Sequence, residues 1–352
     1  MKKEIVAIFL LVVSNAFIAF SQNAKVVVVS QQAQTQQAER LYNDALSLYG
    51  RKSYDTAMTY LKTALKVNED LKNAYILLAN IQQDKGQHQE AIKIWHTFSN
   101  KIQNKDSAYY MISKIYYELG NNDSALKYAE MAVSINTSNY KTYYLKGLSN
   151  FNLQRYESAI EDFTNAIALK DNSSELYNER GSAYYKVKKY SEAIADYDEA
   201  IRINGISLYY NNRGSAEYAL SNFSKAIENY TTAIQLEENN YQAYINRGIA
   251  NLASAEFEQA IEDFNKCVQL NGKSPEAFNY RGIAYYKLKK YQDALNDFNK
   301  ALLTNPKYGE VYLHRGNTLE MLRRPEMACE DWSTAASMGV TQAEEYINNQ
   351  CK

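Results

Sequence analysis

The chain has 352 residues, of which 46% are hydrophobic and 22% are charged, and its formal net charge is -1. This apolar content is enough for a large buried core, whereas a chain without a basic excess or an acidic block is not expected to bind nucleic acid. The three histidines and three cysteines are too few and too scattered for a dense metal framework, so we predict no metal site and no cofactor.

The amino terminus has the pattern of a secretory signal peptide. Lys2 and Lys3 precede an apolar run from Ile5 to Phe20, and the Ala-Phe-Ser sequence at residues 19–21 offers small residues for cleavage. The alternative, an uncleaved membrane anchor, requires about 20 apolar residues, and this run is shorter. We therefore predict that residues 1–21 are removed and that the mature chain is periplasmic or secreted, with no stable membrane span after cleavage.

A glutamine-rich segment follows at residues 22–37. Its composition predicts a flexible lead ahead of the folded part of the chain. The four consecutive valines within it, Val26–Val29, suggest a second interpretation, in which this segment adds a strand to the sheet edge of a partner.

From residue 38 to residue 340 the sequence repeats nine times. Each repeat has a small residue, usually glycine, and twelve residues later an alanine; successive alanines are 34 residues apart, except for one spacing of 33. In repeat 5, Tyr177, Gly181 and Tyr184 lie on one helix face, and Ala193 and Tyr197 mark the facing stripe of a second helix. Two helices of about 14 residues cannot bury their stripes alone, so neighbouring repeats must stack. The landmark pairs are Ala45 with Ala57, Ala79 with Ala91, Ser113 with Ala125, Gly147 with Ala159, Gly181 with Ala193, Gly214 with Ala226, Gly248 with Ala260, Gly282 with Ala294 and Gly316 with Ala328.

This spacing resembles that of the tetratricopeptide repeat (TPR) family, a two-helix unit with aromatic, glycine, aromatic, alanine, aromatic and alanine residues at fixed positions. Only Pro306 clearly supplies the proline that ends the family's unit. The resemblance implies an all-α fold, a TPR-type α-solenoid in which about nine helix–turn–helix repeats form a right-handed superhelix. It also implies a concave groove lined by the first helix of each repeat.

After the last repeat we predict a C-terminal capping helix within residues 341–352, with Thr341 as its N-cap. This tail resembles the ends of exported bacterial TPR proteins, and the resemblance suggests a disulfide between Cys329 and Cys351 that holds the last helix. Two unrelated reduced thiols are the alternative. Cys267 replaces the alanine of its repeat stripe and is predicted to be a buried free thiol.

A charge pair recurs at fixed positions in the later repeats. A basic residue precedes the small residue in repeats 4 to 9, and an acidic residue or its amide follows sixteen residues later, whereas in repeat 2 the same positions hold Leu78 and Ile94. Because the two positions change together, we predict that they touch, within a repeat or with the next one, as partly buried ion pairs with a structural role. Ligand binding is the alternative role. The predicted pairs are Arg180 with Asp196, Arg247 with Asp263, Arg281 with Asp297, and Arg315 with Asp331.

Helix geometry places the residues three and two before each glycine, and those one, four and five after it, off the core stripe, and the family resemblance assigns them to the wall of the groove. This wall mixes amides, tyrosines and aliphatic residues, which suits an extended peptide or a partner helix; ordinary surface or inter-helix packing is the alternative. It is nearly free of arginine, which does not support the terminal-carboxylate clamp of some TPR domains. The predicted partner-binding residues are Asn178, Ser182, Tyr185, Asn211, Asn212, Ser215, Tyr218, Asn246, Ile249, Asn279, Tyr280, Ile283, Tyr286 and His314.

No catalytic constellation stands out in the sequence. The histidines, His88, His96 and His314, do not form an HExxH motif, and neither a GxSxG motif nor a glycine-rich phosphate loop occurs. We therefore predict no enzyme but a noncatalytic protein–protein interaction scaffold of the bacterial cell envelope, whose partner is a protein or a peptide. The alternative is a regulatory or accessory subunit of an enzyme or of a secretion or outer-membrane assembly complex.

Overall fold

The computed structural model describes residues 31–102 and 105–351. The predicted signal peptide and the valines of the lead lie outside the described residues. Within the described ranges the chain forms nineteen helices and no strand, which confirms the predicted all-α class. The chain divides into two compact units, an N-terminal unit of Met1–Leu153 and a C-terminal unit of Gln154–Lys352, and each is described by itself.

The N-terminal unit holds the first seven helices. Helix α1 occupies residues 31–50, so residues 31–37 are helical and the prediction of a flexible lead that extends to residue 37 is wrong. Glutamine and alanine are good helix formers, and Ala38 and Ala45 are fully buried, so the segment before them continues as helix. The others are α2 Tyr54–Val67, α3 Lys72–Asp84, α4 His88–Ser99, α5 Asp106–Glu118, α6 Asn122–Ile135 and α7 Tyr140–Asn152.

The core of the N-terminal unit is built from the predicted stripes. Ala45 of α1 packs with Ala57 and Leu61 of α2 and with Leu77 and Ile81 of α3 in one buried cluster. A single repeat thus buries its apolar stripe only with help from the next repeat, as the periodicity requires. The following cluster continues the series with Trp95 and Phe98 of α4 and Ile112 and Ile115 of α5.

The C-terminal unit holds the remaining helices. Their lengths alternate between 14 residues for the second helix of a repeat and 13 for the next first helix, until α18 ends the pattern. They are α8 Tyr156–Leu169, α9 Ser174–Lys186, α10 Tyr190–Ile203, α11 Ser207–Ala219, α12 Phe223–Leu236, α13 Tyr241–Ala253, α14 Phe257–Leu270, α15 Pro275–Lys287, α16 Tyr291–Thr304, α17 Gly309–Met321, α18 Pro325–Ser337 and α19 Gln342–Gln350.

The glycine of each repeat in this unit faces an aromatic ring from the second helix. A Cβ atom on Gly248 would lie 2.6 Å from Cε1 of Phe264, and a Cβ atom on Gly316 would lie 2.6 Å from Nε1 of Trp332. These distances are too short for any real Cβ atom, so the close approach of the two helices requires glycine. The same relation joins Gly181 with Tyr197, Gly214 with Tyr230 and Gly282 with Phe298.

The turn inside every repeat contains one residue with positive φ, seven positions after the small residue. Its φ lies between 58° and 73° in all nine repeats, and only repeats 2 and 3 place glycine there, as Gly86 and Gly120. In repeat 7 the residue is Ala255, and the next N–H, of Glu256, donates to the carbonyl of Asn251 at 2.8 Å. This bond closes the end of the first helix in the manner of a Schellman motif. The other residues are Lys52, Gln154, Lys188, Ser221, Lys289 and Arg323.

We expect Ala255→Gly to raise the free energy of unfolding by about 1 kcal/mol, because a left-handed conformation costs an L-residue about 1–2 kcal/mol and costs glycine almost nothing. The matched control is Ala253→Gly in the last turn of α13, which should lower it by about 0.5–1 kcal/mol. Urea denaturation followed by circular dichroism measures both. The prediction is wrong if Ala255→Gly is no more stable than the parent.

The last helix, α19, packs on α18. The Tyr346 ring stacks on Trp332 with centroids 5.1 Å apart, Ala343 is buried, and a disulfide joins Cys329 to Cys351. The predicted capping by Thr341 is wrong: its backbone is already helical, and its side chain makes no capping hydrogen bond. Instead, the N–H groups of Ala343 and Glu344 donate to the backbone carbonyls of Val340 and Thr341, at 3.0 and 3.1 Å.

Across the described part of the chain, no helix combines the length and the apolar character that spanning a membrane requires.

Candidate partner-binding face

The fourteen predicted partner-binding residues all lie on the first helices of repeats 5 to 9, in the C-terminal unit. We call the surface formed by these positions of α9, α11, α13, α15 and α17 the first-helix face. Asn178, Asn211 and Asn279 are buried, and the other eleven residues are partly buried. The first-helix face is therefore not a layer of fully exposed side chains, and many of its residues contact other parts of the chain.

An amide ladder accounts for two of the three buried asparagines, Asn178 and Asn211. The Nδ2 atom of Asn212 donates to Oδ1 of Asn178 at 2.9 Å, and Nδ2 of Asn246 donates to Oδ1 of Asn211 at 3.0 Å. Each bond joins the first helix of one repeat to that of the next. These asparagines hold neighbouring repeats in register, since a buried amide is stabilised only when its hydrogen-bonding groups are satisfied.

The residue that follows the glycine of each repeat has the same polarity as the second-helix aromatic residue against which it packs. The Tyr197 hydroxyl donates to Ser182 at 3.3 Å, and Nε1 of Trp332 donates to Oδ1 of Asn317 at 2.8 Å. Opposite Phe298, which has no polar atom, stands Ile283. Ser215 with Tyr230 and Ile249 with Phe264 follow the same rule.

This relation was not predicted, although its signal is present in the sequence. The polarity of the residue after the glycine follows that of the aromatic residue fifteen positions later. Ser182, Ser215, Ile249 and Ile283 thus have a packing role that needs no ligand.

Tyrosines form the more accessible part of the first-helix face. The ring of Tyr185 contacts that of Tyr190 with centroids 5.4 Å apart, and Tyr286 contacts Tyr291 at 5.5 Å, both edge to face. Burial raises the pKa of the Tyr185 and Tyr286 hydroxyls, so both are neutral donors at physiological pH. Tyr218 contacts Phe223 with centroids 5.4 Å apart and the two rings tilted by 53°.

A cleft opens in this face at repeats 8 and 9. Its volume is about 170 Å³, and its lining includes three of the predicted partner-binding residues, Ile283, Tyr286 and His314. Lys287 and Asn317 also line it, at positions that the sequence assigned to the groove wall, whereas Phe298 of α16 was not assigned to the wall.

His314 stands at the repeat boundary of this cleft. Its Nδ1 atom lies 3.0 Å from Oδ1 of Asn279, and because a carbonyl oxygen only accepts, Nδ1 carries the proton and Nε2 is left as an acceptor. Burial lowers the pKa of His314 from 6.5 to about 4, and no charged neighbour opposes this shift. The imidazole is therefore neutral at pH 7.

This shift predicts a loss of stability in mild acid. The folded-state pKa lies below the unfolded one, so the unfolded chain binds the proton first and the free energy of unfolding falls as the pH drops from about 6.5 towards 4. Between pH 7 and pH 5 the loss should be about 2 kcal/mol. His314→Asn, which keeps a donor for Asn279, should lack this part of the pH dependence. Urea denaturation of both proteins at several pH values tests it, and parallel pH profiles would contradict it.

The predicted arginine pairs lie within repeats. Arg180 donates from Nε and Nη2 to the two oxygens of Asp196 at 2.8 and 2.7 Å, and its Nη1 reaches Oγ1 of Thr164 in the preceding second helix at 3.1 Å. Each arginine therefore joins its own repeat to the one before. The same bridge occurs at Arg247 with Asp263 and Thr231, Arg281 with Asp297 and Asn265, and Arg315 with Asp331 and Asn299.

The aspartates of these pairs are buried and their charge is costly. Burial raises the pKa of the Asp196 and Asp263 carboxyls, while the arginine hydrogen bonds act in the opposite direction. A pair of this kind contributes little net stability, because desolvation offsets the attraction, but an unpaired member would be strongly destabilising.

The remaining reactive groups form no centre in the described residues. Burial raises the pKa of the fully buried Cys267 thiol to about 12, so it stays protonated. Among the residues that the structure describes, no three His, Cys, Asp or Glu side chains are placed to hold a metal ion.

Stacked helical hairpins, each with a small residue where its two helices cross, define a class of proteins, the α-helical repeat proteins. Profiles of the tetratricopeptide repeat match residues 106–139, 140–173, 174–205, 241–274 and 275–308, and a TPR repeat profile matches residues 214–254. Together these matches cover more than half of the chain, so the chain belongs to the tetratricopeptide repeat family. Comparison with curated protein sequences finds no significant match.

Solved structures with the same fold include several TPR proteins, all of low sequence identity. The C-terminal part of a TPR repeat-containing protein from Cytophaga hutchinsonii is 21% identical, with 66% of this chain and 96% of that chain covered and a TM-score of 0.55. PilW, a widely conserved type IV pilus biogenesis factor, is 16% identical over 60% of this chain and 97% of its own, with a TM-score of 0.54. A chain of the APC/C hetero-tetramer Cut9–Hcn1 is 12% identical, with 93% of this chain and 99% of that chain covered and a TM-score of 0.53. At these identities the likeness shows the fold alone.

Proposed function

We propose that this chain is a noncatalytic scaffold of the bacterial cell envelope that holds a protein or peptide partner on the first-helix face of repeats 5 to 9. Stacked repeat proteins generally use the extended surface formed by their units for binding. The observation that carries the proposal is the cleft of about 170 Å³ in this face. The amide ladder and the serine–tyrosine pairs explain the other polar residues as packing, whereas the cleft is space that no side chain of the described chain fills.

The envelope location is supported by two features. The first 21 residues have the pattern of a signal peptide. Disulfides such as Cys329–Cys351 persist in oxidising compartments and are rare in the cytosol, which favours an exported chain.

Photo-crosslinking in cells tests both parts of the proposal. The photoreactive amino acid p-benzoylphenylalanine replaces Tyr286 at the cleft or, as the control, Leu303, which is 85% exposed on α16. We expect protein adducts from position 286 and not from position 303, on a chain in the periplasmic or secreted fraction that begins near Gln22. Equal adduct formation at both positions would reject the binding face, and a cytosolic chain that retains Met1 would reject the location.

A further inference from the structure

The residue that lies over the aromatic ring of the preceding second helix differs between repeats 8 and 9. In repeat 8, Tyr280 stacks almost flat on Phe264, with an interplanar angle of 18° and centroids 5.8 Å apart. At the same position of repeat 9 stands His314, tilted by 35° over Phe298 at the same distance. The imidazole is smaller than a phenol ring and is held by Asn279, and the cleft opens beside it with Phe298 in its lining.

The size and floor of this space suit one large apolar side chain. A volume of about 170 Å³ is similar to that of an apolar protein cavity of about 150 Å³ that binds benzene. Ile283 and the rings of Tyr286 and Phe298 supply apolar walls. A leucine or phenylalanine side chain therefore fits, whereas an alanine would leave most of the space unfilled.

The polar groups at the cleft are arranged for a peptide backbone. His314 offers Nε2 as an acceptor, because its Nδ1 already donates to Asn279. Asn317 accepts from Trp332 through Oδ1, which leaves its amide NH₂ group to donate. One acceptor and one donor are what an extended peptide needs for a carbonyl and an N–H beside the anchored side chain.

One charge lines the cleft. Lys287 is exposed, is the one charged side chain in the lining, and forms no ion pair with a described residue. Glu320 is close enough to Tyr286 to help raise the pKa of that hydroxyl, but it does not line the cleft. Charge complementarity at the cleft therefore favours a carboxylate in the ligand.

We infer that this cleft anchors an extended peptide through one leucine- or phenylalanine-sized side chain, with an aspartate or glutamate directly beside it that pairs with Lys287. The inference rests on the proposed function and names the ligand class of the same face.

Selection from a phage-displayed library of random linear dodecapeptides tests it, with the full mature chain immobilised. Peptides enriched on the wild type are synthesised, and their affinity is measured by fluorescence anisotropy for three variants. His314→Tyr fills the cleft as Tyr280 fills the corresponding space in repeat 8. Lys287→Glu reverses the charge at the cleft, and Lys186→Glu makes the same change at the same repeat position of repeat 5. Circular dichroism checks that each variant is folded.

We expect enriched peptides to share a large apolar residue next to an acidic one. Replacing that apolar residue with alanine, or using His314→Tyr, should weaken binding about tenfold or more. Lys287→Glu should shift the preference to peptides with a basic neighbour, and Lys186→Glu should change nothing.

Peptides that lack this pair of residues, or whose binding survives His314→Tyr, would overturn the inference while the scaffold function stands. Failure to enrich any peptide would also overturn it, and the crosslinking at position 286 would then decide the scaffold function separately.

Discussion

Replacing Arg180 with leucine is expected to lower the free energy of unfolding by about 3–5 kcal/mol. The substitution leaves Asp196, whose side chain is 7% exposed, without the two guanidinium hydrogen bonds that now compensate its charge. It also removes the bond to Thr164, which joins this repeat to the one before. Chemical denaturation at pH 7 measures the loss.

The double substitution Arg180→Leu with Asp196→Ile should recover most of this loss, because a buried ion pair exchanged for apolar residues of similar size is often neutral or stabilising. Repeat 2 already has this apolar version, where Leu78 is buried and Ile94 packs against the same cluster. As a control, Arg202→Ala removes an arginine that is 68% exposed and paired with Glu199, and it should leave the free energy of unfolding almost unchanged. A double variant as unstable as the single one would contradict the argument.

Loss of the disulfide is expected to have the second largest effect. Cys351→Ser opens a bridge between residues 22 apart, which corresponds to about 3 kcal/mol of stabilisation in the chain-entropy description. The helix that it holds has nine residues and one buried side chain, Ala343, and so short a helix is marginal on its own. We therefore expect α19 to detach before the rest of the chain unfolds.

Trp332 reports this event directly, because it is 1% exposed and Tyr346 stacks on it. Trp95 is first replaced by phenylalanine so that Trp332 is the remaining fluorophore of its kind; the Nε1 group that is lost has no hydrogen-bond partner. In this background, Cys351→Ser should shift the fluorescence of Trp332 to longer wavelength at low denaturant concentration. Cys267→Ala is the matched control: its equivalents in repeats 6 and 8 are alanines, and we expect little change. Identical fluorescence transitions with and without the bridge would show that the disulfide does not hold the helix.

Much of the fold could be predicted from the sequence because each repeat encodes it locally. The period of 34 and the 3.6-residue helix pattern define the hairpins, and the small residue that faces an aromatic defines the crossing. The arginine–aspartate contacts were also predictable, since both residues change together from one repeat to another. Whether each pair lies within one repeat or between two repeats was not predictable. Only the packed helices show that each aspartate pairs with the arginine of its own repeat, and that the third arginine nitrogen donates to the preceding repeat.

The candidate site could be predicted only in part. The asparagines of the first helices were predicted to bind a partner, with inter-helix packing as the alternative, and Asn178 and Asn211 are acceptors in the ladder between repeats. An asparagine amide can hydrogen-bond either a bound peptide or a neighbouring helix. The sequence does not give the distances between neighbouring amides that distinguish these two roles.

The sequence by itself determined that this chain is a stack of helical hairpins, because the apolar stripe of every hairpin can be buried only by its neighbours. The tertiary structure alone decided which face residues are used up in packing and where space is left. That space lies at one repeat boundary, where the imidazole of His314 is tilted over Phe298 and held by Asn279, and no sequence pattern gives the arrangement of these rings.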